Sequence, residues 1–264
     1  MTDAPGVTVR KPADAPHVAE LVLDRPAALN AVSTAMARAI ADATAALASD
    51  GSLRAVVLSS SSERAFCVGA DLKERNKVTD DELGRQRPVQ RSAYRGVLDL
   101  PVPTVAAVHG YALGGGCELA LACDIIVADE TAVFGLPEVS VGVIPGGGGT
   151  QLLARRIGWG RAADLVFTAR RVDAGEAHRL GLADRLVTAG RDRAEALEIA
   201  AAISRNSPVG VRNAKRSMRL GLDVPLAAGL EIEDAGWRAT AFSGDRSEGV
   251  AAFNEKRDPD WPGE

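Results

Sequence analysis

Two glutamates and two tight turns of glycine or small residues are the parts of this 264-residue chain best equipped for chemistry. Glu118 follows the run Gly114-Gly115-Gly116-Cys117, and Glu138 follows Pro137 twenty residues later. The glycine run comes after an apolar strand pattern at 104–108 and opens a helix, whose first N–H groups have no intrahelical partner. Such amides attract anions, yet Glu118 would repel a resting phosphate. Either Glu118 only complements the positive end of the helix dipole, or the amides serve a charge that develops during a reaction and Glu118 takes part in it. A second tight turn at Gly69-Ala70 can leave another amide unpaired, and two amides from separate loops aimed at one point form an oxyanion hole. A strand and a return turn fit between Glu118 and Glu138, so the two carboxylates can meet. Close carboxylates do not easily both ionise, which yields an acid and a base for moving a water proton. Taken alone, Glu138 reads first as a solvated turn residue.

These residues must be positioned by alternating strands and helices. Strands are expected at 18–23, 54–59, around Phe66, at 104–108 and over Asp124–Ala128. Ser33 is placed to cap a helix over 34–48, with Met36, Ile40, Ala43 and Leu47 on one face. A further helix is expected near 90–99, with Pro88 before it or at its start. Beyond Gly149 the pattern is mostly helical, with helices expected at 150–157, 161–168, 174–180, 192–204, 208–219 and 225–240, and near residue 160 it shifts to helix-only. The expected class is α/β. Each candidate turn falls where a strand ends, the usual place for ligands in such folds.

Composition narrows the field. A hydrophobic content of 46%, 25% charged residues and a net charge of −4 describe a globular chain with no pull toward nucleic acid or an anionic membrane. Cys67, Cys117 and Cys123 have neither disulfide-framework nor zinc spacing, and with no signal peptide or spanning segment the expected compartment is a reduced cytoplasm. Abundant arginine and alanine point to a high-GC bacterial genome. Pro145–Gly149 is no phosphate loop, because Thr150-Gln151 follows instead of Lys-Ser or Lys-Thr. Ala112 breaks the dinucleotide fingerprint at 110–115, and His17, His109 and His178 lack metal-ligand spacing.

The chain resembles the enoyl-CoA hydratase/isomerase (crotonase) superfamily over almost its whole length. The matching stretches are LDRPAALNA (23–31), AFCVGADLKE (65–74), PVPTVAAVHGYALGGGCELALACDIIVA (101–128), FGLPEVSVGVIPGGGGTQLLARRIG (134–158), GEAHRLGLADRLV (175–187) and EGVAAFNEKRDPDW (248–261). The resemblance implies a spiral of ββα units over residues 1–200 carrying the active site. It implies a helical region over 201–264 that covers coenzyme A and builds trimers, often paired into hexamers. It also implies that the amides of Ala70 and Gly115 polarise a thioester carbonyl, that Glu118 and Glu138 hold the reacting water, and that the Gly146 amide assists. Arg25, Ala28 and the segment Ala70, Asp71, Leu72 and Lys73 correspond to residues that wrap the coenzyme. Phe253 and Lys256 correspond to residues that reach its adenine and phosphate, often on a neighbouring subunit.

Two glutamates at these positions favour a hydratase that adds water across a trans-2-enoyl-CoA, as in β-oxidation, with no metal and no redox cofactor. Family isomerases generally manage with the glutamate near position 138, so Δ3,Δ2-isomerisation is the alternative on the isomerase side. ADLKER and PGGGGTQ resemble the branch that includes methylglutaconyl-CoA hydratase. A non-catalytic acyl-CoA-binding protein fits less well with both glutamates intact. The segment 33–50, which carries lysines in an RNA-binding relative, here has one arginine, no lysine and two aspartates, so RNA binding is not expected. Residues 76–99, part of the acyl pocket by the same resemblance, contain no interpretable motif.

Overall fold

The computed structural model describes residues 6–264. In chain order its strands are β1 (Val7–Arg10), β2 (Val18–Leu23), β3 (Ala55–Ser60), β4 (Thr104–Val108), β5 (Tyr111–Leu113), β6 (Ile125–Asp129), β7 (Val133–Gly135), β8 (Arg171–Asp173) and β9 (Arg185–Val187). Its helices are α1 (Thr34–Ser49), α2 (Leu72–Arg75), α3 (Asp80–Leu98), α4 (Gly115–Ala122), α5 (Gly149–Ile157), α6 (Trp159–Thr168), α7 (Ala174–Leu180), α8 (Asp192–Ser204), α9 (Pro208–Gly221), α10 (Leu226–Ala241) and α11 (Gly244–Glu255).

The larger sheet runs β1-β2-β3-β4-β6-β9, parallel except for the edge strand β1. Its central strands are apolar on both faces because both are covered. Ala19, Leu21, Leu23, Val56, Leu58, Ala106 and Val108 point into the main core with α1 and α3. The alternate residues Val18, Ala55, Val57, Val105, Ala107 and Val127 pack against Ala196 and Ala200 of α8. Glu20, buried on that second face, is gripped by the Arg193 guanidinium at 2.6 and 2.7 Å and accepts the Ser59 hydroxyl proton at 2.7 Å. The smaller sheet runs β5-β7-β8. A single bridge from Cys67 to Ala112 of β5 ties the segment before α2 to this sheet, and a bridge from Val32 to Ala70 ties the segment before α1 to that one. Each repeat therefore places one strand in each sheet and then a helix, which brings the chain back past the same edge. That edge collects the turns before α1, α2 and α4.

Several sequence expectations need correction. The helix expected near 90–99 begins at Asp80, because Thr79 and Glu82 form a reciprocal cap. Pro88 lies inside this helix; the Gly84 carbonyl that loses its donor is on an exposed stretch where water can replace it. The chain beyond residue 160 is not helix-only, since β8 and β9 lie within it. Three residues are too few to establish a period of two. Helix α11 was also absent from the sequence pattern, having only Ala252 and Asp245 buried. Ser33 does cap α1, accepting the Met36 N–H at 3.2 Å.

Residue 200 lies in the last turns of α8, and α9 to α11 follow. Helix α9 is fastened to the sheet by charge: Lys215 and Arg219 each pair with Asp124 at 2.7 Å, and Arg212 donates to the Gly51 and Leu53 carbonyls. On these last helices Met218, Leu222, Leu226, Trp237, Phe242 and Phe253 are exposed.

Candidate active site

Helix α4 is buried along its whole length, and Glu118 stands in its first turn, 3% exposed. The turn before it depends on the absence of side chains. Gly69 has φ +87°, and a Cβ there would come within 2.9 Å of the Gly115 nitrogen. A Cβ on Gly115 would come within 2.2 Å of the Tyr94 hydroxyl oxygen. The Gly69-Ala70 turn is thus pressed against the Gly115 amide, as the two-loop arrangement requires. Among the described residues the amides of Ala70 and Gly115 donate to no backbone carbonyl.

The glycines after Pro145 wrap the Glu118 carboxylate. Oε1 accepts N–H groups from Gly147 at 2.7 Å and Gly149 at 2.8 Å. Burial pushes the carboxyl pKa upward, while the amides of Gly149 and Gly147 pull against that by favouring the charged form. A dipole-complementing residue on a solvated helix end would be neither buried nor held this way. Glu138 sits in the short 3-10 turn Pro137–Val141. The residue is half-buried, and its Oε2 is buried with no hydrogen-bond partner among the described residues, so one face of the carboxyl is turned away from solvent. Burial pushes its pKa up to about 7, and the negative charge of Glu118 adds to the shift. The two carboxylates therefore differ: Glu118 is held by two amides, whereas Glu138 is poised to keep a proton.

Both glutamates face a groove of about 1440 Å³, lined also by Ala70, Leu72, Gly115 and Gly146. Gly146 accepts a 2.7 Å hydrogen bond at its carbonyl from Arg87. Arg25 and Asp71 bind each other at 2.6 Å, and Asp71 also caps α2 through the Lys73 and Glu74 amides. This pairing braces the turn that holds Ala28 against the Ala70 loop. Lys73 is exposed. Phe253, 84% exposed, lines a different cavity between α10 and α11, and Lys256 follows at the end of α11. Within one chain neither lines the glutamate groove. That other cavity offers only Asp245 as an acid, and its oxygens are already taken by Ser207, Val209 and Gly263.

Two residues escaped the sequence reading. Tyr94 is buried beside Gly115 and Gly147, and burial raises its hydroxyl pKa. Arg87 reaches the Gly146 loop. The available signal was helical spacing from Leu83 through Arg87 and Arg91 to Tyr94 and Leu98, hidden because Pro88 appeared to forbid a helix there.

The fold, with its paired carboxylates at an amide-lined groove, is of the crotonase type. The family described as enoyl-CoA hydratase/isomerase matches residues 14–264. A crystal structure of enoyl-CoA hydratase from Bacillus anthracis superposes with a TM-score of 0.94 at 39% identity, covering 98% of this chain and all of that one. YngF of Bacillus subtilis is 46% identical over 91% of this chain and 93% of its own length. Mouse mitochondrial methylglutaconyl-CoA hydratase is 42% identical over 92% of this chain and 79% of its own. The chain belongs to the enoyl-CoA hydratase/isomerase family.

Proposed function

We propose that the protein is a hydro-lyase that adds water across the α,β double bond of a trans-2-enoyl-CoA. The observation that carries this reading is the pair of carboxylates, Glu118 buried and amide-held and Glu138 half-buried with its inner oxygen unpartnered, beside the Ala70 and Gly115 amides. Glu118 takes a proton from water as the water oxygen bonds to the β-carbon. The electron pair of the double bond moves toward the thioester oxygen, where the two amides stabilise the enolate; losing one such donor typically costs about 3–4 kcal/mol of barrier. Protonated Glu138 then delivers its proton to the α-carbon. The pair holds one proton before and after, so its titration belongs to both groups. Acid, base and oxyanion hole supply all the chemistry this reaction needs. The relative acting on methylglutaconyl-CoA supports the same reaction on a branched acyl group.

The assembly we propose is a trimer or hexamer, supported by the exposed apolar side chains of α9 to α11, with Lys256 serving a neighbouring groove. No helix of the described residues is long and apolar enough to cross a membrane. The activity is tested by loss of the enoyl-thioester absorbance of crotonyl-CoA, followed by a panel of longer and branched substrates. Saturable hydration supports the reading. Tight acyl-CoA binding without turnover on any member of the panel contradicts it.

A further inference from the structure

Tyr94 reaches the oxyanion turns from α3. It lies on the buried side of that helix with Ala93 and Val97 and is 6% exposed. Its ring packs on the Gly147 turn, where an added Cβ would come within 2.6 Å of the ring and 2.8 Å of Glu118 Oε2. Its hydroxyl lies where the two oxyanion loops meet. The Cβ that at Gly115 would come within 2.2 Å of this oxygen would also come within 3.4 Å of the Gly69 α-carbon. Gly69 precedes Ala70, so the hydroxyl stands at the junction that carries both amides, and it lines the same groove as they do. Among the described residues nothing accepts its proton. Two carboxylates are at hand, yet Glu118 Oε1 is taken by Gly147 and Gly149, and Glu138 Oε2 has no partner. A phenol O–H this far from bulk water ordinarily finds an acceptor, because a buried donor left unmade costs stability. Burial, and after it the negative charge of Glu118, keeps the proton on the oxygen, so the group is a neutral donor.

Resting on the hydration reading above, we propose that Tyr94 is a further catalytic residue, its hydroxyl donating a third hydrogen bond to the thioester oxygen alongside the Ala70 and Gly115 amides. The bond strengthens as that oxygen gains charge, because a hydrogen bond to an anion is roughly twice as strong as one to a neutral carbonyl. A donor already fixed by packing therefore lowers the barrier more than it tightens substrate binding. No proton leaves the phenol. Glu118 receives the proton of water, Glu138 gives its own to the α-carbon, and Tyr94 holds the electron-rich oxygen between these events. The reacting water is the other acceptor that could meet the hydroxyl, and the test separates the two.

The experiment compares wild type with Tyr94→Phe, which keeps the ring against Gly147 and removes only the donor. Acetoacetyl-CoA is the probe, because it ionises to an enolate that absorbs strongly in the ultraviolet and undergoes no hydration. Titration of that absorbance with pH should show the enolate-to-keto ratio of the bound ligand about tenfold lower in the variant, the factor one hydrogen bond to a charged group supplies. Calorimetric affinity for saturated butyryl-CoA should change by no more than about threefold. With crotonyl-CoA, kcat should fall about tenfold with little change in KM. Equal enolate-to-keto ratios in the two proteins overturn the proposal. If kcat falls while that ratio is unchanged, the hydroxyl serves the water instead, and the proposal is again overturned. So is it by an equal loss of affinity for butyryl-CoA and acetoacetyl-CoA, which makes the hydroxyl a ground-state contact. Because the enolate measurement needs no turnover, a protein that fails to hydrate crotonyl-CoA but shows the tenfold shift would sink the hydratase reading alone.

Discussion

Replacing Glu138 by Gln should stabilise the protein at alkaline pH while crippling its chemistry. In the fold Glu138 holds its proton up to about pH 7, against an ordinary value of 4.5, because burial and the neighbouring Glu118 charge oppose ionisation. Glu138 therefore binds its proton more tightly folded than unfolded. Its favourable contribution is complete below pH 4.5 and is lost as pH rises through about 7. Each tenfold in proton affinity is worth about 1.4 kcal/mol, so the difference caps the penalty at about 3 kcal/mol, and water at the groove mouth lowers it to roughly 2 kcal/mol. Gln keeps the shape and cannot ionise. Urea unfolding followed by circular dichroism, at one protomer concentration, should find the variant more stable by about 2 kcal/mol near pH 8.5 and matched to wild type near pH 4. Removing the charge also makes Glu118 easier to ionise, which acts in the same direction. A variant whose stability runs parallel to wild type at both pH values would refute the claim that this half-buried carboxylate is held beside a second one.

Three further substitutions probe other parts of the account. Gly115→Ala would place its Cβ 2.2 Å from the Tyr94 oxygen and displace the oxyanion turn, so kcat should fall by about 10²–10³; adding Tyr94→Phe should restore part of it. Lys256→Ala should raise KM for acyl-CoA with kcat largely unchanged, and a pantetheine thioester without the nucleotide should not respond. An equal loss on the truncated substrate makes Lys256 a structural residue. Pro88→Ala should restore the missing hydrogen bond to the Gly84 carbonyl and raise thermal stability by about 1–2 kcal/mol, and a lower melting temperature would contradict the reading of an uninterrupted α3.

The turns at Gly69-Ala70 and Gly114–Gly116 and the acids Glu118 and Glu138 stood out in the sequence as small residues at strand ends, an acid after a glycine turn and an acid after proline, whereas the choice of the Ala70 and Gly115 amides and a role for Glu138 rested on the family resemblance. The long buried strands β2, β3, β4 and β6 were legible as apolar runs. The three-residue strands β7 to β9 were not, because they are defined by their partners rather than by a pattern of their own. What separates the two glutamates was also invisible. The amides that hold Glu118 come from Gly147 and Gly149, about thirty residues further on, and the empty Oε2 of Glu138 depends on how the Pro137 turn packs beside Gly114. The 76–99 segment looked uninformative because its proline masked a helix with Tyr94 on its buried side and arginines along the groove.

The central claim, that the two glutamates act as one acid–base pair on water, is tested most directly by the kinetics of Glu118→Gln and Glu138→Gln with crotonyl-CoA. Each should lower kcat by about 10²–10⁴, the range of a positioned general acid or base, with much smaller changes in KM. The double variant should be little worse than either single one, because the two carboxylates act in one step. Isomerisation of a 3-enoyl to a 2-enoyl thioester should survive better in Glu118→Gln than in Glu138→Gln, and the opposite order would reverse the assignment of base and acid. Hydration at the wild-type rate in both single variants would contradict the account outright.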